Sequence, residues 1–95
     1  MEIIFDPIRA DDTLSVHVDG DVLTVNGDVL DFSGLAEGFK LPPSAVGNAW
    51  IIGSVKRRDG QIQLTMLAPH GGKASEAARV RYSVTVDKGH VELRK

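Results

Sequence analysis

The chain has 95 residues, of which 42% are hydrophobic and 25% charged, with 11 Lys and Arg against 13 Asp and Glu and no cysteine. That is the profile of one small globular domain spanning residues 1–95, and the missing cysteines exclude disulfide scaffolds, thiolate metal sites and cysteine nucleophiles. The longest apolar run, Ala49-Trp50-Ile51-Ile52-Gly53, is too short to cross a bilayer. The opening Met1–Asp6 lacks the basic and apolar layout of a secretory signal. The expectation is a protein neither inserted in a membrane nor exported by a signal peptide.

The dominant hydrophobic period is two, which predicts strands. In chain order, EIIF (2–5) reads as a short edge strand. Residues 14–19 alternate, with Leu14, Val16 and Val18 on one face and Ser15, His17 and Asp19 on the other. Segments 22–25 and 28–32 flank Asn26-Gly27, a dipeptide that tolerates the positive φ of a type I′ hairpin turn. Residues 33–49 are rich in Gly and Pro and read as a loop with one helical turn after Pro43, where Ser44 or Asn48 could cap.

A second hairpin is predicted from 50–57 and 61–67 about Arg58-Asp59-Gly60, with Ile62, Leu64 and Met66 facing inward. Residues 69–78 read as a surface loop. A third hairpin is predicted from 80–86 and 90–93 about Asp87-Lys88-Gly89, with Val80, Tyr82, Val84 and Val86 inward. The fold class expected is mainly β: a single antiparallel domain, either a small sandwich or a partly open barrel. It would have about seven or eight short strands in hairpins and at most one short helix.

Charge is unevenly spread. Residues 1–45 carry nine acids against Arg9 and Lys40, a net of −7; residues 46–95 carry nine bases against four acids, a net of +5. Because the charges alternate with apolar residues, the expectation is oppositely charged sheets or edges attracting within one fold. A dipolar molecule that self-associates is the sharper alternative.

Few residue patterns point to chemistry. His17, His70 and His90 share no short metal-binding spacing, so no metal site is expected. Asp19 and Asp21 about Gly20, and Asp28 and Asp31 after Asn-Gly, are what turns favour, and no serine sits in a nucleophile elbow. His70-Gly71-Gly72-Lys73 lacks the spacing of a phosphate loop and reads as a mobile partner-binding loop. Neither catalytic residues nor a cofactor are expected.

Binding candidates remain. Arg57-Arg58, and Arg79 with Arg81 on one strand face, are the best argument for nucleic acid, but the net charge of −2 and five aromatics speak against it as the main partner. Trp50, at a strand start, either packs on the core or serves as an interface hot spot. The partner-binding candidates are therefore Trp50, Arg57, Arg58, His70, Arg79 and Arg81.

The string Asp21–Leu35 (DVLTVNGDVLDFSGL), with Glu37-Gly38, Leu41-Pro42, Trp50-Ile51, Asp59-Gly60 and Pro69-His70-Gly71, resembles small uncharacterised proteins of tailed phages and prophages. Their genes lie among those for tails, baseplates and tail fibres. The resemblance covers most of the chain but not its end, Val91–Lys95, where relatives tend to carry proline. It implies a non-enzymatic minor structural component or assembly factor that contacts a tail or tail-fibre protein. The implied setting is the bacterial cytoplasm or the virion tail. The alternative is a small nucleic-acid-binding or regulatory domain with a basic strand face.

Overall fold

A computed structural model describes all of residues 1–95. Nine strands form two sheets. They are β1 (Glu2–Arg9), β2 (Val16–Asp19), β3 (Val22–Val25), β4 (Asp28–Asp31), β5 (Lys40–Leu41), β6 (Ile51–Arg58), β7 (Gln61–His70), β8 (Tyr82–Thr85) and β9 (Lys88–Val91). A single helical turn, α1 (Pro43–Val46), precedes β6, and a 3-10 turn covers Glu76–Ala78. The larger sheet runs β5-β6-β7-β1-β8 and the smaller β4-β3-β2-β9.

The inner faces of both sheets share one core. Ile3, Phe5, Ile62, Leu64 and Met66 from the larger sheet join Val16, Val18, Leu23, Val25 and Val91 from the smaller. Of the two architectures expected this is the small sandwich, and β1, β2, β3 and β7 build its core by burying alternate residues. β7 shows the pattern plainly, with Ile62, Leu64, Met66 and Ala68 buried and the residues between them half-buried.

Two hairpins form as expected. Asn26 (φ 49°) and Gly27 (φ 83°) turn β3 into β4, and Asp59 (φ 53°) and Gly60 (φ 76°) turn β6 into β7. The second loop has two residues, not three, and β7 extends to His70. Within β6 the register slips between Ile52 and Lys56, where Gly53 (φ 71°) accommodates a bulge. The helical turn after Pro43 ends on Gly47, but neither Ser44 nor any other side chain caps its start. Asn48 acts beyond it: its Oδ1 accepts from the Trp50 amide at 2.9 Å.

Three expectations need correction. The opening segment is an interior strand, because β1 lies between β7 and β8. Its eight residues pair with β7 in parallel, the one parallel pairing in an otherwise antiparallel fold. β8 reaches only Glu2–Phe5. Pro7 falls in the half of β1 that lacks this second neighbour, where a missing N–H is tolerated.

The third hairpin does not form: β8 joins the larger sheet and β9 the smaller. The corner between them is fixed to both layers, since Val86 N–H donates to the Met1 carbonyl at 2.9 Å and Gly20 N–H donates to the Asp87 carbonyl at 2.8 Å. Finally, Val80 does not face the core but is 51% exposed ahead of β8. The ninth strand is the two-residue β5.

Replacing Gly27 with Ala should lower stability by about 1 kcal/mol, because a Cβ is strained at that positive φ. Leu23→Ala, in the shared core, should cost about 2–5 kcal/mol. Urea denaturation of both variants checks the order and the sizes.

Candidate functional site

The six candidate residues do not form one site. β7 is ten residues long, which separates its two ends by roughly 30 Å. Arg57 and Arg58 lie at the β6–β7 turn, and His70 and Arg79 at the opposite end.

Adjacent residues on a strand point to opposite faces, and this divides Arg57 from Arg58. Arg57 lies opposite buried Ile62, so its side chain reaches inward at the rim of the sandwich. There its Nε donates to the Leu35 carbonyl at 2.6 Å. One Nη donates to Asp21 Oδ1 at 3.4 Å and the Gly60 carbonyl at 3.1 Å, and the other to Asp21 Oδ2 at 2.8 Å and the Phe32 carbonyl at 3.3 Å. The side chain is only 14% exposed, and its pair with Asp21 links the two sheets. Hydrogen bonding to Asp21 holds the guanidinium above its ordinary pKa against the opposing effect of desolvation. Glu37 completes the corner, its carboxylate accepting the Asp59 and Gly60 amides at 3.0 and 2.7 Å. Arg57 is thus engaged inside the molecule, while Arg58 is exposed.

Arg58 shares the outer face of the larger sheet with a group absent from the sequence-derived candidates. Lys40 lies directly opposite Lys56 in the β5–β6 register, and Arg58 follows two residues on. Phe39 beside them is 66% exposed. A depression of about 210 Å³ is lined by Glu37–Lys40 and Lys56–Arg58. Two further depressions adjoin it, one of about 230 Å³ sharing Lys40 and Lys56 and one of about 250 Å³ sharing Arg58. The signal that could have found this group was the Phe39-Lys40 pair facing Lys56-Arg57-Arg58, but it needed the β5–β6 pairing, which two residues in a Gly/Pro-rich loop do not announce.

At the other end, Arg79 and Arg81 do not make a basic strand face. Arg79 closes the 3-10 turn in helical conformation, and its guanidinium donates to the Gly72 and Ala74 carbonyls at 2.7 and 3.1 Å. It holds the 71–79 loop shut from within. Arg81 is exposed before β8. His70 ends β7, half-buried, with Nδ1 donating to the Gly71 carbonyl at 3.0 Å. It borders a depression of about 310 Å³ together with Lys73, Arg94 and Lys95. Trp50 is half-buried and packs against the core cluster, while its carbonyl accepts from Leu67 N–H at 2.8 Å.

The smaller sheet brings His17 and His90 opposite each other on its exposed face, and His90 Nε2 lies 3.6 Å from Glu92 Oε1. No third ligand joins them, and no group of three or more metal-ligating side chains occurs anywhere in the chain. Asp31 accepts the Ser33 backbone amide at 2.9 Å, and this bond, reinforced by the Ser33 hydroxyl, lowers its pKa. Of the carboxylates noted in the sequence, Asp21 belongs to the Arg57 corner, Asp31 holds the turn after β4, and Asp28 accepts from Asn48 Nδ2 at 3.0 Å. Comparison with known protein families, curated proteins and solved structures finds no match.

Arg57→Ala should lower the urea midpoint well below that of Arg58→Ala, and Arg57→Lys should recover little of it, because an ammonium cannot reproduce the guanidinium fork. Asp31 has a lowered pKa in the folded protein, so its contribution is complete above the ordinary value near 3.8 and is lost as pH falls through the lowered one. Asp31→Asn should accordingly flatten the acid limb of the stability profile, and an NMR carboxyl titration should place Asp31 below the ordinary aspartate range.

Proposed function

We propose that this chain is a non-enzymatic tail-region protein of a phage or prophage, a minor structural component or an assembly factor acting through protein contacts. The observation that supports this reading is the convergence of the residues that carry the resemblance. Asp21, Phe32, Leu35, Glu37, Asp59 and Gly60 come from three separate stretches of that pattern, and all meet in the Arg57 corner. A pattern that closes on itself in this way describes a shared scaffold and not a reaction centre, which suits a protein whose work is contact. Surfaces for contact are present. β4, β8 and β9 are sheet edges with unpaired backbone groups, and Val29 on β4 is 63% exposed. Trp50 and the His70 loop are further candidates on this reading, with a tail or tail-fibre protein or a second copy as partner.

Mass spectrometry of purified induced particles, normalised to the tail proteins, should find the chain at fixed copy number if it is a structural component. An assembly factor should be absent from particles yet co-purify with a tail protein from lysing cells. Absence from particles together with no tail partner in the lysate would overturn the proposal.

A further inference from the structure

The outer corner of the larger sheet carries a feature that fold stability does not account for. Lys40 and Lys56 are directly opposed across β5 and β6, and like charges at that position repel. Neither lysine nor Arg58 has an ion-pair partner. The nearby carboxylates are committed elsewhere: Glu37 to the Asp59 and Gly60 amides, and Glu2 to the Gln63 side-chain amide. Glu2 and Asp59 line the adjoining depression with Arg58, and Glu37 lines the one that holds Lys40, Lys56 and Arg58. The three cations line one depression with Phe39, which has two-thirds of its surface in water.

The floor of this corner is mostly polar. Gln63 and Thr65 of β7 and Ser54 of β6 line the adjoining depression beside Ile4 and Leu64. A protein hot spot has a dry apolar centre. Cations over an amide- and hydroxyl-bearing sheet, with one free aromatic ring, match the way single-stranded nucleic acid is held, phosphates on the cations and a base stacked on the ring. The overall charge of −2 does not prevent this, because fields act locally and are screened within about 10 Å.

We infer that Phe39, Lys40, Lys56 and Arg58 form a binding site for single-stranded nucleic acid, with Phe39 as the stacking platform and the three cations as phosphate contacts. The site is independent of the tail-region proposal and uses neither Arg57, which is engaged within the fold, nor Arg79 and Arg81.

Fluorescence anisotropy with a labelled 15-mer of deoxythymidine tests it. With three phosphate contacts, at a slope of about −0.7 each in log affinity against log salt, affinity should fall roughly 20-fold between 50 and 200 mM KCl. The K40Q/K56Q/R58Q variant should lose most of that salt dependence along with the binding. Phe39→Ala should weaken binding roughly ten-fold or more at every salt concentration without changing the slope, and Phe39→Trp should restore it. R79Q/R81Q should bind as the parent does. Circular dichroism checks that each variant is folded. No binding at 50 mM KCl, or undiminished binding by the folded triple variant, would overturn the inference. So would a deca-glutamate peptide that binds more tightly than the oligonucleotide with the same Phe39 dependence, since the site would then belong to an acidic protein segment.

Discussion

The sandwich is held at one end by a single guanidinium. A small two-layer fold is joined by its core but has open rims, where turn carbonyls and short acidic residues would otherwise compete for water. Arg57 occupies one such rim and directs its donors to a carboxylate of the smaller sheet, the turn of the larger, and two carbonyls of the connection between them. Guanidinium geometry makes this possible, because its planar fork presents five donors in fixed directions. The placement of the 32–39 segment follows from it, and with that the approach of β5 to β6. The exposed basic corner is thus positioned by a basic residue that is itself withdrawn from solvent.

Much of the fold was legible because period-two patterning and positive-φ turn dipeptides are local signals. Asn26-Gly27 and Asp59-Gly60 needed no knowledge of distant chain. What failed was non-local. The sequence EIIFDPIR contains both an apolar alternation and a proline, and only the position of β8 decides that Pro7 lies beyond the doubly paired half. Likewise Asp87-Lys88-Gly89 has hairpin composition, yet the chain changes sheets there because Met1 and Gly20 hold the corner from either side. Local rules see turn chemistry and not which layer receives the next strand.

The same limit applies to the binding residues. Alternation alone separates Arg57 from Arg58, so their division between interior and surface was readable. That Lys40 would face Lys56 was not, since fifteen residues of loop, helical turn and bulge lie between them. The uneven charge also resolves spatially. Asp19, Asp28 and Asp31 lie on the smaller sheet, while Lys40, Lys56, Arg57 and Arg58 lie together at one side of the larger. Only one ion pair, Arg57 with Asp21, connects the two layers. Arg9 of the larger sheet pairs with Asp11, while Lys40, Lys56 and Arg58 have no ion-pair partner.

The placement of β1 has a consequence for how the molecule is made. Glu2 pairs with Gln63 on one side and with Thr85 on the other, so this interior strand of the larger sheet closes loops of about sixty and eighty residues. Loop closure of that length costs chain entropy before any contact offsets it, and topologies of this kind fold in milliseconds to seconds rather than microseconds. During synthesis β1 emerges well before β7 and β8, and its Ile3 and Phe5 stay uncovered until they arrive. The β2–β3–β4 meander, whose pairings are all local, can form in that interval. The nascent chain therefore passes through a stage in which three strands of the smaller sheet are assembled while a lone apolar strand waits, and at that stage it is most exposed to aggregation and to chaperones.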